Sequence, residues 1–162
     1  MSALAHRLED TKDGDLVEFC PQAPAIMQSL AQRIDANGGA ALIFDYGDWR
    51  SLGDTLQALH EHEKVAALYK PGESDLTAHV DFEVLVADLP CAHSRITPQG
   101  IFLERLGITD RAQALAKNLS GAALEQHIAA HRRLTHPDEM GTIFKTFALF
   151  PSGANPPAGY ET

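Results

Sequence analysis

A continuous apolar run at residues 40–44, AALIF, constrains the fold more than any other part of the chain. An uninterrupted run of this length predicts a strand covered on both faces, as in a parallel sheet. The segment before it, residues 23–39, places apolar side chains at helical spacing and ends in Gly38-Gly39, which predicts a helix. A helix, a glycine pair and a buried strand in this order indicate an α/β domain with helices on its sheet.

Polar residues follow the apolar run directly. Asp45 and Tyr46 stand where the predicted strand ends, just before Gly47. Open α/β sheets bind their ligands beyond the carboxyl ends of the strands, so we predict that Asp45 and Tyr46 line a cleft there. An acid at this position also serves as a turn or helix-capping residue, and for Asp45 both roles stay open.

The other elements follow from periodicity and from turn residues. A short strand is predicted at 15–21, a helix that runs into a strand at 52–65, and a loop at 70–75. Further helices are predicted at 80–89, 97–108, 109–120 and 121–134, with a final strand at 141–150. We expect a flexible segment at 1–14, one α/β domain at 15–150 and a disordered tail at 151–162.

Charge is distributed unevenly along the 162 residues, whose net charge is -9. Residues 43–90 hold ten acids and three bases, whereas residues 91–150 hold seven bases and five acids. An acidic chain without a basic patch is a poor ligand for nucleic acid or an anionic membrane, and no apolar run approaches the ~20 residues of a membrane span. The acidic segment suits a cationic partner, although a solvated acidic surface also explains it.

The N-terminal residues and the cysteines favour a cytoplasmic location. The first fifteen residues are too acidic for a transit peptide and have no apolar signal segment. Cys20 and Cys91 form no CxxC pair, which is typical of two buried thiols in a reducing compartment.

The segment DLTAHVDF at residues 75–82 concentrates ionisable side chains. Asp75, Thr77, His79 and Asp81 alternate with apolar residues, which would give a strand one polar face. The helical pattern that begins near residue 80 favours a second interpretation, in which Thr77 or Asp81 caps a helix.

A metal site is one alternative for these residues. His60, His62, His79 and Asp81 are residue types that bind zinc or iron, as in a metal-dependent hydrolase. His60 and His62 are two residues apart, so they share a face only on a strand, and no HExxH motif occurs. Surface histidines explain the pattern better, and we expect no stoichiometric metal. GxSxG, GxGxxG and Walker A motifs do not occur either.

Five sequence blocks resemble a known family in type, order and approximate spacing. They are GGAALIFDYG, GDTLQALHEH, PGESDLTAHVDF, TPQGIFLERLGI and EMGTIFKTFAL. From about Asp15 to Leu149 the chain resembles the C-terminal half of the MidA family of class I S-adenosylmethionine-dependent methyltransferases. That family includes the mitochondrial complex I assembly factor that acts on arginine. The resemblance implies a Rossmann-like, mostly parallel twisted sheet with helices on both faces.

The resemblance also implies a function and its limits. It makes the chain the substrate-side part of a protein arginine N-methyltransferase, with Asp45, Tyr46, His79 and Asp81 as substrate-binding residues. The family's cofactor-binding segments lie in its N-terminal half, and none has a counterpart here. S-adenosylmethionine is therefore expected for the complete enzyme, and no cofactor or activity for this chain alone. The expected partners are a protein substrate presenting arginine, and an N-terminal half on another chain or a second copy.

A non-enzymatic module of the same origin, which works by binding a partner, stays open as an alternative. It would share the fold and lack turnover.

Overall fold

The computed structural model describes residues 4–161 and contains a mixed sheet with helices packed against it. The helices are α1 (Ala23–Asn37), α2 (Phe82–Val86), α3 (Gln99–Arg105), α4 (Ile108–Ala116) and α5 (Gly121–Thr135), with a 3-10 helix at Ala5–Glu9 and a π-helical turn at Pro137–Gly141. The strands are β1 (Ala41–Asp48), β2 (Gln57–His60), β3 (Glu63–Val65), β4 (Asp75–Thr77), β5 (Val80–Asp81), β6 (Ala92–His93), β7 (Thr97–Pro98) and β8 (Phe144–Phe150). None of the described helices is both long and apolar enough to cross a membrane.

The main sheet has the strand order β5-β1-β8-β6, and β7 also pairs with β8. β1 and β8 run antiparallel from the pair Ala41–Leu149 to the pair Tyr46–Phe144. β5 is parallel to β1 and pairs with it only at Gly47 and Asp48. The described sheet is therefore mixed, whereas the sequence predicted mostly parallel pairing. A second sheet of order β3-β2-β4 is antiparallel.

Helices cover both faces of the main sheet. Alternate residues of β8 point to opposite faces and belong to two different cores. Phe147 and Leu149 pack with the buried residues of α1 and α2. Ala148 and Phe150 pack with Phe102 of α3 on the opposite face. This arrangement confirms the predicted α/β class with helices on both sides.

The predicted pairing of a helix with the apolar strand is confirmed. Buried Met27, Ala31 and Ile34 lie on one face of α1, and the helix ends at Gly38, whose φ of 76° suits glycine. β1 runs on to Asp48, so Asp45 and Tyr46 lie inside the strand rather than after it.

The outer edge of β1 is open over residues 41–46. On that side β5 pairs only with the last two residues of the strand, and no other described segment pairs with the rest. Leu42 and Phe44 are also largely exposed, so the strand is not covered on both faces as the sequence predicted. An unpaired apolar edge of this kind is a template for pairing with another strand.

Three predicted elements are different in the structure. The helix predicted at 80–89 is limited to α2, Phe82–Val86, and follows the strand β5. Residues 15–21 form no strand, and residues 52–65 form the β2–β3 hairpin instead of a helix followed by a strand. Glu61 and His62 both have positive φ at the hairpin turn, which no helix allows. The helices predicted at 97–108, 109–120 and 121–134 and the strand at 141–150 are confirmed with small shifts of boundary.

Both chain ends are packed within the described residues, whereas the sequence predicted flexible and disordered segments. Arg7 of the 3-10 helix is buried, and residues 1–3 of the predicted flexible segment lie outside the described residues. In the tail, the Tyr160 ring lies 4.7 Å from the Phe102 ring, and its hydroxyl is hydrogen-bonded to Thr146. The tail has little apolar sequence, but this one aromatic side chain closes the second core.

We expect Tyr160→Ala to lower the free energy of unfolding by about 3 kcal/mol, because it removes a buried aromatic ring and leaves a cavity. Urea denaturation followed by circular dichroism measures this change. Tyr69→Ala is the matched control, because Tyr69 is exposed and belongs to neither of the two cores. Equal stabilities of the two variants would show that the tail does not contribute to the core.

Candidate substrate cleft

A cleft of about 570 Å³ lies beside the carboxyl-terminal part of β1. Three of the four predicted site residues line it, namely Asp45, His79 and Asp81. Tyr46 does not line the cleft, but its ring lies 6.0 Å from the His79 ring at an interplanar angle of 63°. The structure therefore brings all four predicted residues to one region of the sheet.

Gly47 allows β5 to approach β1 and thereby places the cleft wall. A Cβ atom on Gly47 would lie 2.1 Å from the carbonyl oxygen of Val80, closer than any packed atoms allow. The φ of Gly47, 154°, is also in a region that favours glycine. A glycine at this position is thus required for residues 79–81 to stand against β1.

Asp81 holds the start of α2 and is already fully engaged. It is the N-cap of the helix and accepts a hydrogen bond from the Val84 N–H at 3.4 Å. Its other oxygen forms a buried ion pair with Arg7. Burial raises the pKa of Asp81, while the Val84 N–H and the Arg7 charge oppose that rise. The capping interpretation is confirmed for Asp81, whereas Thr77 lies in β4 and caps no helix.

Arg7 ties the N-terminal segment to the cleft wall. Besides the ion pair with Asp81, it donates to the Ser51 carbonyl at 2.9 Å and to Asp10 at 3.2 Å. Its side chain is 2% exposed, so the charge is compensated by these three groups rather than by water.

A second ion pair, between Arg50 and Glu83, is linked to the first through Asp10. Arg50 binds both oxygens of Glu83, at 2.7 and 2.9 Å, and lies 3.7 Å from Asp10. The Arg50 guanidinium holds the pKa of Glu83 below its usual range. This bidentate pair fixes the first turn of α2 against the segment that follows β1.

Glu18 fixes the opposite wall of the cleft. Its carboxylate accepts the Thr55 hydroxyl, the Thr55 N–H at 3.2 Å and the Leu56 N–H at 2.9 Å. The Thr55 hydroxyl oxygen in turn accepts the His79 N–H at 2.8 Å. The backbone of His79 is therefore held through Thr55, while its exposed side chain makes no hydrogen bond among residues 4–161.

Asp45 is the acid of the cleft with a free oxygen. One oxygen accepts the Tyr46 N–H at 2.8 Å, and the other has no partner in the described part of the chain. Of the three carboxylates that line the cleft, Glu18 and Asp81 use both oxygens within the protein. The Tyr46 ring packs at 5.1 Å against Phe144 and, because successive residues of a strand point to opposite faces, it lies on the sheet face opposite to Asp45. A carboxylate with a free oxygen suits a planar cation.

The residues of the hydrolase alternative do not come together. His60 contacts the Tyr69 ring at 5.4 Å and the Glu73 carbonyl at 3.1 Å, and His62 lies in the hairpin turn. Within residues 4–161, no group of three or more histidine, cysteine, aspartate or glutamate side chains could hold a metal ion. The thiols also differ from expectation, since Cys20 is exposed at the cleft and only Cys91 is buried.

Sequence reasoning missed Arg7, Glu18 and Thr55. Arg7 lies in a segment predicted to be loose, and Glu18 in one predicted to be a strand. Their partners are 74 and 37 residues away in the chain, so no local pattern signals these contacts.

Comparisons with known proteins agree on one family. Residues 1–101 match the family model described as "Putative S-adenosyl-L-methionine-dependent methyltransferase". The mitochondrial protein arginine methyltransferase NDUFAF7 of Xenopus laevis is 38% identical over 147 residues, which cover 89% of this chain and 34% of that protein. The protein of the same name from Rattus norvegicus is 40% identical over 138 residues, or 83% of this chain and 32% of that protein.

The fold is also similar to a solved structure. A protein of Burkholderia thailandensis with bound S-adenosyl-homocysteine superposes with a TM-score of 0.76 at 25% identity, over 98% of this chain and 43% of that one. The chain thus spans about a third of the length of the curated relatives it matches.

The cytoplasmic location expected from the sequence is wrong by these comparisons, because the relatives from Xenopus laevis and Homo sapiens are named as mitochondrial proteins. The expectation rested on the first residues of a chain that spans only a third of those relatives.

We expect Arg7→Met to lower the free energy of unfolding by about 3 kcal/mol, because it leaves the buried Asp81 carboxylate without its charge partner. Urea denaturation measures the loss. Arg111→Met is the control, since Arg111 is exposed on α4 and its side chain makes no hydrogen bond or ion pair in the described residues. A loss no greater than that of the control would show that the Arg7–Asp81 pair does not stabilise the cleft wall.

Proposed function

This chain belongs to the family of S-adenosyl-L-methionine-dependent methyltransferases, and we propose that it forms the substrate-side part of a protein arginine N-methyltransferase. The observation that carries the proposal is the free carboxylate oxygen of Asp45 in the cleft that His79 also lines. The names of the relatives from Xenopus laevis and Rattus norvegicus support arginine as the target.

Asp45 would bind the guanidinium of the target arginine. The carboxylate oxygens and the guanidinium N–H groups match in a planar, paired arrangement that sets direction as well as affinity. The exposed His79 side chain, which lines the same cleft, would bound the group on its side, and the Tyr46 ring would support His79 from 6.0 Å.

Methyl transfer needs the acceptor nitrogen aligned with the methyl–sulfur bond and water kept away. In this proposal Asp45 orients the nitrogen, while Asp81 and Glu18 act on the walls and not on the substrate. Their carboxylates are already hydrogen-bonded or ion-paired, so a competing guanidinium would have to break contacts within the protein. Of the four residues predicted to bind substrate, Asp81 is thus assigned to the cleft wall.

The cofactor does not fit the described residues. Binding of the S-adenosylmethionine ribose and carboxylate in such folds uses a glycine-rich turn between a strand and the helix that follows it. In residues 4–161, β1 leads into a hairpin, β5 leads into α2 through Asp81, and β7 leads into α3 through Pro98, so none of these junctions is glycine-rich. We derive no chemical step through the cofactor from this chain.

The open edge of β1 supports a second part of the proposal, because it can pair with further strands. Residues 41–46 have unpaired backbone groups there, beside the exposed Leu42 and Phe44. We propose that a cofactor-binding part, on the same polypeptide or on another chain, pairs with this edge and faces Asp45 with the methyl donor. The non-enzymatic alternative shares this geometry and differs only in the lack of turnover.

We expect the 162-residue chain alone to show no saturable heat with S-adenosylmethionine in calorimetric titration up to millimolar cofactor, because none of the strand-to-helix junctions in residues 4–161 is glycine-rich. Light scattering in the same buffer should show dimers or larger species, since the open β1 edge pairs with other copies. Micromolar binding by a monodisperse monomer would contradict both expectations.

Asp45→Asn should lower kcat/KM for an arginine peptide by about 100-fold in an enzyme reconstituted with its cofactor-binding part, because the substrate loses a charge-assisted hydrogen bond. Asp48→Asn is a close control, because Asp48 is exposed on the same strand and also accepts the next backbone N–H, at 2.8 Å. Urea denaturation of both variants excludes a loss of fold. A wild-type rate for Asp45→Asn would limit Asp45 to a local turn contact.

A further inference from the structure

The small β3-β2-β4 sheet forms a separate arm, defined here as residues 56–77. It shares no strand with the main sheet. Both of its ends are at the cleft, since Leu56 lines the cleft and His79 follows two residues after the arm. The arm is therefore continuous with the proposed substrate site without contributing to the packing of the main sheet.

The arm exposes more apolar surface than its size explains. Leu68 is 85% exposed, Leu76 62% and Leu56 50%, and Leu59 and Tyr69 are also exposed. Leu76 is paired with Ala58 and lies on the same sheet face, whereas Leu59 is paired with Asp75 and lies on the opposite face, so the arm exposes leucines on both sides. Clusters of exposed apolar side chains on a folded surface mark interaction sites.

The charge of the arm indicates what it binds. The arm carries four acids and two bases. The side chains of Glu61, Glu63 and Asp75 are exposed and make no ion pair or hydrogen bond within residues 4–161, whereas Glu73 lies 3.9 Å from Lys70. A partner that brings positive charges would find three such acids in the same arm as the exposed leucines.

We propose that the arm docks the segment of the protein substrate that flanks the target arginine, and that this segment is basic and carries apolar side chains. This inference rests on the proposed function, because the arm leads to the cleft of Asp45. A second copy of the chain fits the arm poorly, since it would bring the same acids against each other. The continuation of the methyltransferase sheet fits the β1 edge, which belongs to the other sheet.

The test is fluorescence anisotropy with the whole chain and a labelled 14-residue peptide of leucine and lysine around one central arginine. Two double variants of the arm should each weaken binding at least about tenfold. One carries Leu68→Ser and Leu76→Ser, and the other carries Glu63→Lys and Asp75→Lys. Both change exposed side chains, so the fold is kept. The matched controls, Leu115→Ser with Ile128→Ser and Asp35→Lys with Glu125→Lys, also change exposed residues, on α1, α4 and α5, and should stay within about twofold of wild type.

Two further measurements separate this inference from the proposed function. If the peptide binds Asp45→Asn as tightly as wild type and the arm variants still lose binding, docking stands and the arginine proposal fails. If the arm variants bind like wild type or like the controls, the docking proposal is overturned, whatever Asp45→Asn does. It is also overturned if light scattering shows that the arm variants dissociate a dimer, because a second copy is then the occupant.

Discussion

The buried ion pair between Arg7 and Asp81 is the contact on which the cleft depends. Asp81 caps α2 and pairs with β1 through β5, so its position fixes both the helix and the cleft wall. A buried carboxylate without a partner is costly, and Arg7 supplies the compensating charge from a segment that is otherwise irregular. The N-terminal segment therefore stabilises the site from outside the sheet, because Arg7 neutralises the buried acid that caps α2.

The hydrogen bonds of each carboxylate distinguish the structural acids of the cleft from the acid that is available to a substrate. Glu18 and Asp81 are engaged with backbone N–H groups, a hydroxyl and a guanidinium. Asp45 is held by a single N–H from its neighbour and keeps one oxygen free. Charge alone does not distinguish these residues, since all three line one cleft. The arrangement of donors around each carboxylate decides which of them can bind a cation.

The sequence predicted those elements whose periodicity and end residues lie within the element itself. The apolar run before Asp45 and the helix α1 were predictable because periodicity and glycine positions specify them. The hairpin at residues 57–65 was not, because its turn depends on positive φ at two residues that are not glycine. Contacts over long sequence distances, such as Arg7 with Asp81 and Tyr160 with Thr146, depend on the assembled fold and have no local signal.

Carbon-13 NMR of the side-chain carboxylates during a titration with methylguanidinium shows which acid of the cleft binds a guanidinium, without the cofactor or a substrate protein. We expect the Asp45 carboxyl resonance to shift and saturate, while those of Glu18 and Asp81 move little, since their oxygens are already bound within the protein. A shift at Glu18 or Asp81 with Asp45 unchanged, or equal shifts of all three, would contradict the role of Asp45.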